Sequence, residues 1–223
     1  MCFDWLVTGQ IIPSNPAASV RGPKYIVKRG KTPVLSADEA RHLLDSIDCS
    51  TIVGLRDRAL IGTMIYTFAR VSAVVNMRVE DYYQLGKRSW IRLHEKGGKR
   101  HGMPAHHLLD EYLNEYLAAA CIESDRKGYL FRACRGRSDE LTENPLAQAD
   151  AYRMIRRRAL AAGIRTRIGN HTFRATGITE YLRNGGKLEI AQRMANHESA
   201  RTTGLYDRRD DLVSLDEVER ILI

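Results

Sequence analysis

The chain has 223 residues, 43 % of them hydrophobic and 28 % charged, with a formal net charge of +8 and a sequence pI near 9.5. That balance belongs to a globular protein with a real core, of one substantial domain or one domain with a partial second, and no apolar run approaches the ~18 residues that a membrane span needs. The opening MCFDWLVTGQIIP contains Asp4 and lacks a basic start, so it is no secretory signal, and a cytoplasmic location is expected.

Cys2, Cys49, Cys121 and Cys134 show no CxxC or other metal-ligand spacing, and the seven histidines form no HExxH group. Free thiols and no metal or cofactor are therefore expected. The positive charge favours a polyanionic partner, and its distribution says more than its total. The window 152–174, YRMIRRRALAAGIRTRIGNHTFR, holds seven arginines and no acid. Clustered cations of this kind neutralise phosphates, and arginine adds bidentate geometry.

In chain order, residues 1 to about 12 read as the end of an amphipathic helix, followed by IIPSNPAASVRGPK, a Pro-, Ser- and Gly-rich linker. Ser36 with Glu39 predicts a capping-box helix start. A second helix is predicted over 51–69, with Ile61, Met64, Ile65 and Phe68 on one stripe. DYYQLGKRSWIRLHEKGGKRHGMP changes to short alternating runs, the signal of a small antiparallel sheet with a GGK-containing hairpin. Helical periodicity returns at HLLDEYLNEYLAAAC, placing Leu108, Leu109, Tyr112, Leu113, Tyr116 and Leu117 on one face. Asn144-Pro145 is expected to open another helix. Short helices follow, the last of them SLDEVERILI, whose Leu215, Val218, Ile221 and Leu222 form an apolar stripe. The expected fold is α+β, mainly helical, with one small sheet.

HTFR places His171 and Arg174 on one helix face. His197 follows in ANHESARTTGLY, which ends at Tyr206, and far upstream FARVSAVVNMRVEDY carries Arg70 beyond an apolar helix. Taken singly, Arg70 is placed to cap a helix C-terminus, His171 to cap the helix that follows, and Tyr206 to be a half-buried core residue. None of these readings explains the shared order: Arg70, a lysine-bearing hairpin, His171-x-x-Arg174, His197, Tyr206.

That order resembles the tyrosine recombinases, the integrase family whose catalytic core is shared with type IB topoisomerases. GLRDRALIGTMIYTFARVSAVVNMRVEDY, HTFRATGITEYL and HESARTTGLYDRR match beyond the catalytic positions. The resemblance covers the chain from about residue 24 and implies the family's catalytic-domain fold with a three-stranded antiparallel sheet. Residues 1–23 resemble the tail and linker of a preceding core-binding domain, so the chain is read as a truncated form whose DNA binding is weak and salt-dependent.

The resemblance implies a site-specific DNA recombinase that works on double-stranded DNA without a metal. Tyr206 would be the nucleophile that forms a covalent 3′-phosphotyrosine, Arg70 and Arg174 the clamp on the phosphoryl oxygens, and His171 and His197 the hydrogen-bonding or proton-transfer partners. The family pattern makes Lys96 the leaving-group acid, with Lys99 the runner-up. Lys99, Arg100, Arg153, Arg156, Arg157, Arg165 and Arg167 are the expected DNA contacts. The expected assembly is a tetramer on paired DNA sites, linked through the C-terminal helix. Nicking and religation alone, as in a type IB topoisomerase, or DNA binding by a catalytically weak relative, are the alternatives. Two positions depart from the family: Ala73 stands where an acid usually follows the first arginine by three residues, and Asn196 replaces the glycine before the third-motif histidine. Asparagine tolerates left-handed backbone better than most residues. Gly204 is expected to let the segment before Tyr206 bend.

Overall fold

In the computed structural model, residues 2–21, 30–95, 98, 100–136 and 138–207 are described. Their centre is a helix that has almost no polar face. This helix, α3 (Ile52–Thr67), buries Ala59, Leu60, Ile61 and Met64 completely, and Asp57 and Thr63 with them. The stripe read from the sequence is therefore too narrow, because α3 is covered on all sides. Its start is fixed by Thr51, whose hydroxyl accepts the Gly54 N–H at 3.0 Å. Its end falls at Phe68, which adopts left-handed backbone (φ 56°).

Around α3 pack α2 (Ala37–Asp45), α5 (His107–Ala120) and α7 (Asn170–Arg183). The Ser36–Glu39 capping box closes both ways, Ser36 Oγ accepting the Glu39 N–H at 3.1 Å and Glu39 Oε2 the Ser36 N–H at 2.9 Å. On α5 the expected face is buried at Leu109, Tyr112, Leu113, Tyr116 and Leu117, while Leu108 is only partly covered. The approach of α7 to α3 depends on Gly177, where a Cβ would stand 2.1 Å from the Ile65 carbonyl oxygen. Any side chain there forces the two helices apart.

The expected small sheet is present as β1 (Tyr82–Leu85), β2 (Arg88–His94) and β3 (Arg100–Pro104), antiparallel in the order β1-β2-β3. The β2–β3 register ends at His94 opposite Arg100, which places the GGK segment in the hairpin between them. Ile91 and Leu93 turn their side chains into the core.

A second sheet, which the sequence reading did not anticipate, pairs β4 (Arg132–Cys134) with β5 (Leu141–Pro145). Asn144-Pro145 thus ends a strand and does not open a helix. Proline pushes the preceding residue toward extended backbone and is tolerated at a strand edge. Pairing continues past Pro145 through the Leu146 N–H to the Phe131 carbonyl at 2.9 Å. The helix, α6 (Gln148–Ala161), starts only after Ala147. Short helices α1 (Cys2–Thr8), α4 (Val71–Val75), α8 (Leu188–Met194) and α9 (Ala200–Gly204) complete the described architecture. Among the described residues, no helix is long and apolar enough to cross a membrane. The predicted C-terminal helix over 214–223 lies outside the described residues.

Candidate active site

The left-handed turn at Phe68 ends α3 and places Arg70 at the N-cap of α4. The Arg70 side chain does not cap α3. It lies 34 % exposed and donates from Nη1 to Glu95 Oε2 at 2.6 Å. Glu95 follows β2, and its side chain is only 1 % exposed.

Arg174 enters from α7. Its guanidinium is almost fully buried and donates from Nη1 to the Phe68 carbonyl and from Nη2 to the Ala195 carbonyl. The same left-handed turn that presents Arg70 therefore braces Arg174. A guanidinium has five N–H donors, so the two backbone bonds fix its plane and leave donors for an anion. Arg174 Nη1 also lies 4.0 Å from Glu95 Oε1, and the two arginines thus share one carboxylate.

His197 is buried after α8, one residue beyond Asn196, whose φ of 47° makes it the left-handed residue that its chemistry allows. The ring is held by Nδ1 against Thr203 Oγ1 at 2.9 Å. It lies parallel to the Tyr206 ring, with centroids 5.9 Å apart and planes within 8°. Tyr206 follows α9, and its segment is tied on two sides. The Gly30 N–H donates to the Leu205 carbonyl at 2.9 Å, and the Thr179 hydroxyl donates to the Tyr206 carbonyl at 3.0 Å. Gly204 closes α9 itself.

The electrostatics follow from this crowding. Burial, helped by the neighbouring Arg70 charge and opposed by Glu95 and Tyr206, brings the Arg174 guanidinium down to about 10. It is therefore still charged at neutral pH. Burial first, then the Arg174 and Arg70 charges, push His197 down to about 4, so its imidazole is neutral at pH 7.

Arg70, Arg174, His197 and Tyr206 are thus gathered from α4, α7 and the segments after α8 and α9. His171 lies on the first turn of α7, exposed and one turn before Arg174. It does not cap that helix, because Gly169 is the N-cap and donates its N–H back to Thr172 Oγ1 at 3.1 Å. Lys96 and Lys99 lie outside the described residues.

Arg100 is exposed on β3, Arg153, Arg156 and Arg157 on α6, and Arg165 and Arg167 in the segment leading to α7. The acid-free window is less unpaired than its sequence implies, because it takes carboxylates from outside. Arg153 pairs with Asp150, and fully buried Asp57 accepts Arg158 at 2.8 Å with Arg157 at 3.7 Å.

Two site residues were missed in the sequence. Glu95 was in plain view beside Lys96 in EKGGKRHGMP, but nothing local marks it as buried. His101 on β3 is half-buried, and burial lowers its pKa against the pull of Glu95. The Met194 backbone, within hydrogen-bonding reach of the ring, opposes that shift as well.

The family model of the phage integrase family matches residues 33–212. The chain belongs to the phage integrase family. Curated relatives include tyrosine recombinase XerD of Oceanobacillus iheyensis, 28 % identical over 207 residues, which cover 91 % of this chain and 65 % of the relative. XerD of Staphylococcus aureus is 29 % identical over 195 residues, covering 86 % and 62 %. The chain thus spans a little under two thirds of the length of these relatives. Among solved structures, XerH recombinase bound to difH substrate in a pre-cleavage complex superposes with a TM-score of 0.66 at 22 % identity, covering 95 % of this chain and 60 % of that one. A lambda integrase dimer bound to a COC′ core site gives 0.64 at 18 % identity, covering 96 % and 59 %. These likenesses establish that the fold is that of the integrase catalytic domain.

Proposed function

We propose that this chain carries the strand-cleaving centre of a site-specific DNA recombinase, acting on double-stranded DNA through Tyr206. The observation that supports this reading best is the convergence of Arg70 and Arg174 on one small volume beside the stacked His197 and Tyr206 rings. A phosphodiester carries one negative charge, and more charge develops on its non-bridging oxygens as the nucleophile arrives. Two guanidiniums, one of them braced by backbone carbonyls, offer preorganised donors for those oxygens.

In this reading the Tyr206 phenol passes its proton to the His171 imidazole as its oxygen attacks phosphorus, the bond from phosphorus to the 5′-oxygen breaks, and a 3′-phosphotyrosine forms. The leaving 5′-oxygen takes a proton from a general acid, the role given to Lys96. Neutral His197 accepts the Thr203 hydroxyl proton at Nδ1, which leaves its Nε2–H to donate to a phosphoryl oxygen. His171, on the same helix as Arg174, serves as the second imidazole at the phosphate. The covalent link conserves the phosphodiester energy, so a second 5′-hydroxyl reverses the step and exchanges strands. The exposed arginines at 100, 153, 156, 157, 165 and 167 would contact the backbone of the duplex. XerD relatives and DNA-bound XerH and lambda integrase folds favour the same substrate class. Assembly as a tetramer through the last helix belongs to the same proposal.

The test is a nicked suicide duplex, from which the released strand escapes so that the covalent adduct accumulates. An adduct with the unaltered chain that disappears in Tyr206→Phe is expected. An adduct that persists in Tyr206→Phe overturns the assignment. Relaxation of supercoiled plasmid without recombinant products would assign nicking and religation instead.

A further inference from the structure

The first-motif segment RVSAVVN, residues 70–76, contains no acid, and Ala73 is buried within α4. A carboxylate nevertheless reaches the first arginine, and it comes from the other side of the site. Glu95 lies 25 residues along the chain from Arg70 and accepts from it at 2.6 Å. Its second oxygen, Oε1, lies 4.0 Å from Arg174 Nη1 and, among the described residues, has no hydrogen-bond partner. A carboxylate 1 % exposed is costly to bury without a partner, and the Arg70 guanidinium supplies one. The two guanidiniums repel each other, and a single anion between them holds both in place before the phosphate arrives.

We propose that Glu95 is a positioning residue for strand cleavage. It sets Arg70 and Arg174 for the scissile phosphate and takes the place of the carboxylate that the family carries at the position of Ala73. The inference rests on the recombinase reading above. Glu95 does not touch the reacting atoms; it acts through the two arginines. A purely structural ion pair would predict loss of stability with no dependence on the charge of the substrate. A positioning role predicts that the loss follows the charge the arginines must meet.

The experiment uses the full chain and a duplex first selected from a randomised nicked pool by adduct formation with the unaltered chain, then resynthesised in three forms. One carries an ordinary scissile phosphate, one a methylphosphonate, and one a bridging sulfur at the 5′ position. E95Q keeps the shape and removes the charge. Its adduct rate is expected to fall on the order of 100-fold on the ordinary phosphate, as a misplacement near 1 Å does. The methylphosphonate lacks one charged oxygen and asks less of the clamp, so the deficit on it should shrink to about 10-fold or less. The sulfur leaving group needs no proton, so it should restore nothing. E95D, which keeps the charge one methylene short, is expected to recover part of the rate, and both variants should unfold within a few degrees of the unaltered chain. An E95Q rate within about twofold of the unaltered chain, an equal deficit on phosphate and methylphosphonate, or rescue by the sulfur substrate would each overturn the positioning role. No adduct with the unaltered chain from any member of the pool would overturn the recombinase reading itself, and the inference with it.

Discussion

Gly177→Ala adds one methyl group at a point where the fold has no room for it. The new Cβ would lie 2.1 Å from the Ile65 carbonyl oxygen and 2.8 Å from the Phe68 ring carbons Cδ1 and Cε1. Relaxed carbon contacts need ~3.5 Å or more, so α7 has to retreat from α3 by about 1 Å at this crossing. Neither obstacle is free to yield. One is backbone in the last turn of the core helix, and the other belongs to the left-handed residue that ends it. Arg174 lies one turn earlier on α7 and is bonded to the Phe68 carbonyl, so the same retreat draws its guanidinium away from Arg70 and Glu95. Overpacking of this kind costs ~1–3 kcal/mol of stability, and a displacement near 1 Å costs cleavage on the order of 100-fold. Urea unfolding followed by circular dichroism reads the first quantity, and the initial rate of adduct formation reads the second. Gly177→Ala with stability within ~0.5 kcal/mol and a cleavage rate within about twofold of the unaltered chain would refute the argument that this glycine sets the position of Arg174.

His197 protonates near 4 in the folded chain against an ordinary value of 6.5, so between those values the unfolded chain binds a proton that the folded chain refuses. Stability should therefore fall as pH drops through that window, by up to ~3 kcal/mol for this group, and urea titrations at pH 7 and 4.5 should show a shallower loss in His197→Asn. Asp57, fully buried, accepts Arg56 Nη2 at 2.7 Å and Arg158 Nη2 at 2.8 Å. Asp57→Asn leaves those guanidiniums without their anion and is expected to cost ~3–5 kcal/mol in the same assay. Asn196 at φ 47° predicts opposite signs for two substitutions: Asn196→Gly should leave the melting temperature unchanged or raised, whereas Asn196→Val should destabilise by ~1–2 kcal/mol.

The local signals in the sequence carried the elements whose causes are local. Ser36 with Glu39 caps α2, alternation and GGK mark β2 and β3, and the stripe on α5 points inward. Integrase-family spacing then picked out Arg70, Arg174, His197 and Tyr206, which the fold brings together. What escaped depends on partners far along the chain. Leu141–Pro145 became a strand because β4 was there to pair with it. The helix end near residue 69 was legible, but its left-handed turn at Phe68 was hidden because phenylalanine rarely takes that backbone; here its ring packs with Ile178 and Leu182 in a second small core. Arg157 and Arg158 find Asp57 about a hundred residues away, which no charge count over a window can reveal. Glu95 is the clearest case, since a glutamate in a hairpin normally reads as solvated and only the fold closes over it.

The central claim is that the Tyr206 oxygen becomes bonded to the 3′ phosphate of the cut strand. Its most direct measurement is tryptic digestion of the adduct trapped on a suicide duplex, with mass spectrometry of the nucleotide-bearing peptide and kinase labelling of the released strand. A single peptide carrying the nucleotide on Tyr206, with a released 5′-hydroxyl that labels without prior phosphatase treatment, is the predicted result. A nucleotide on any other residue, or a released 5′-phosphate, would contradict it.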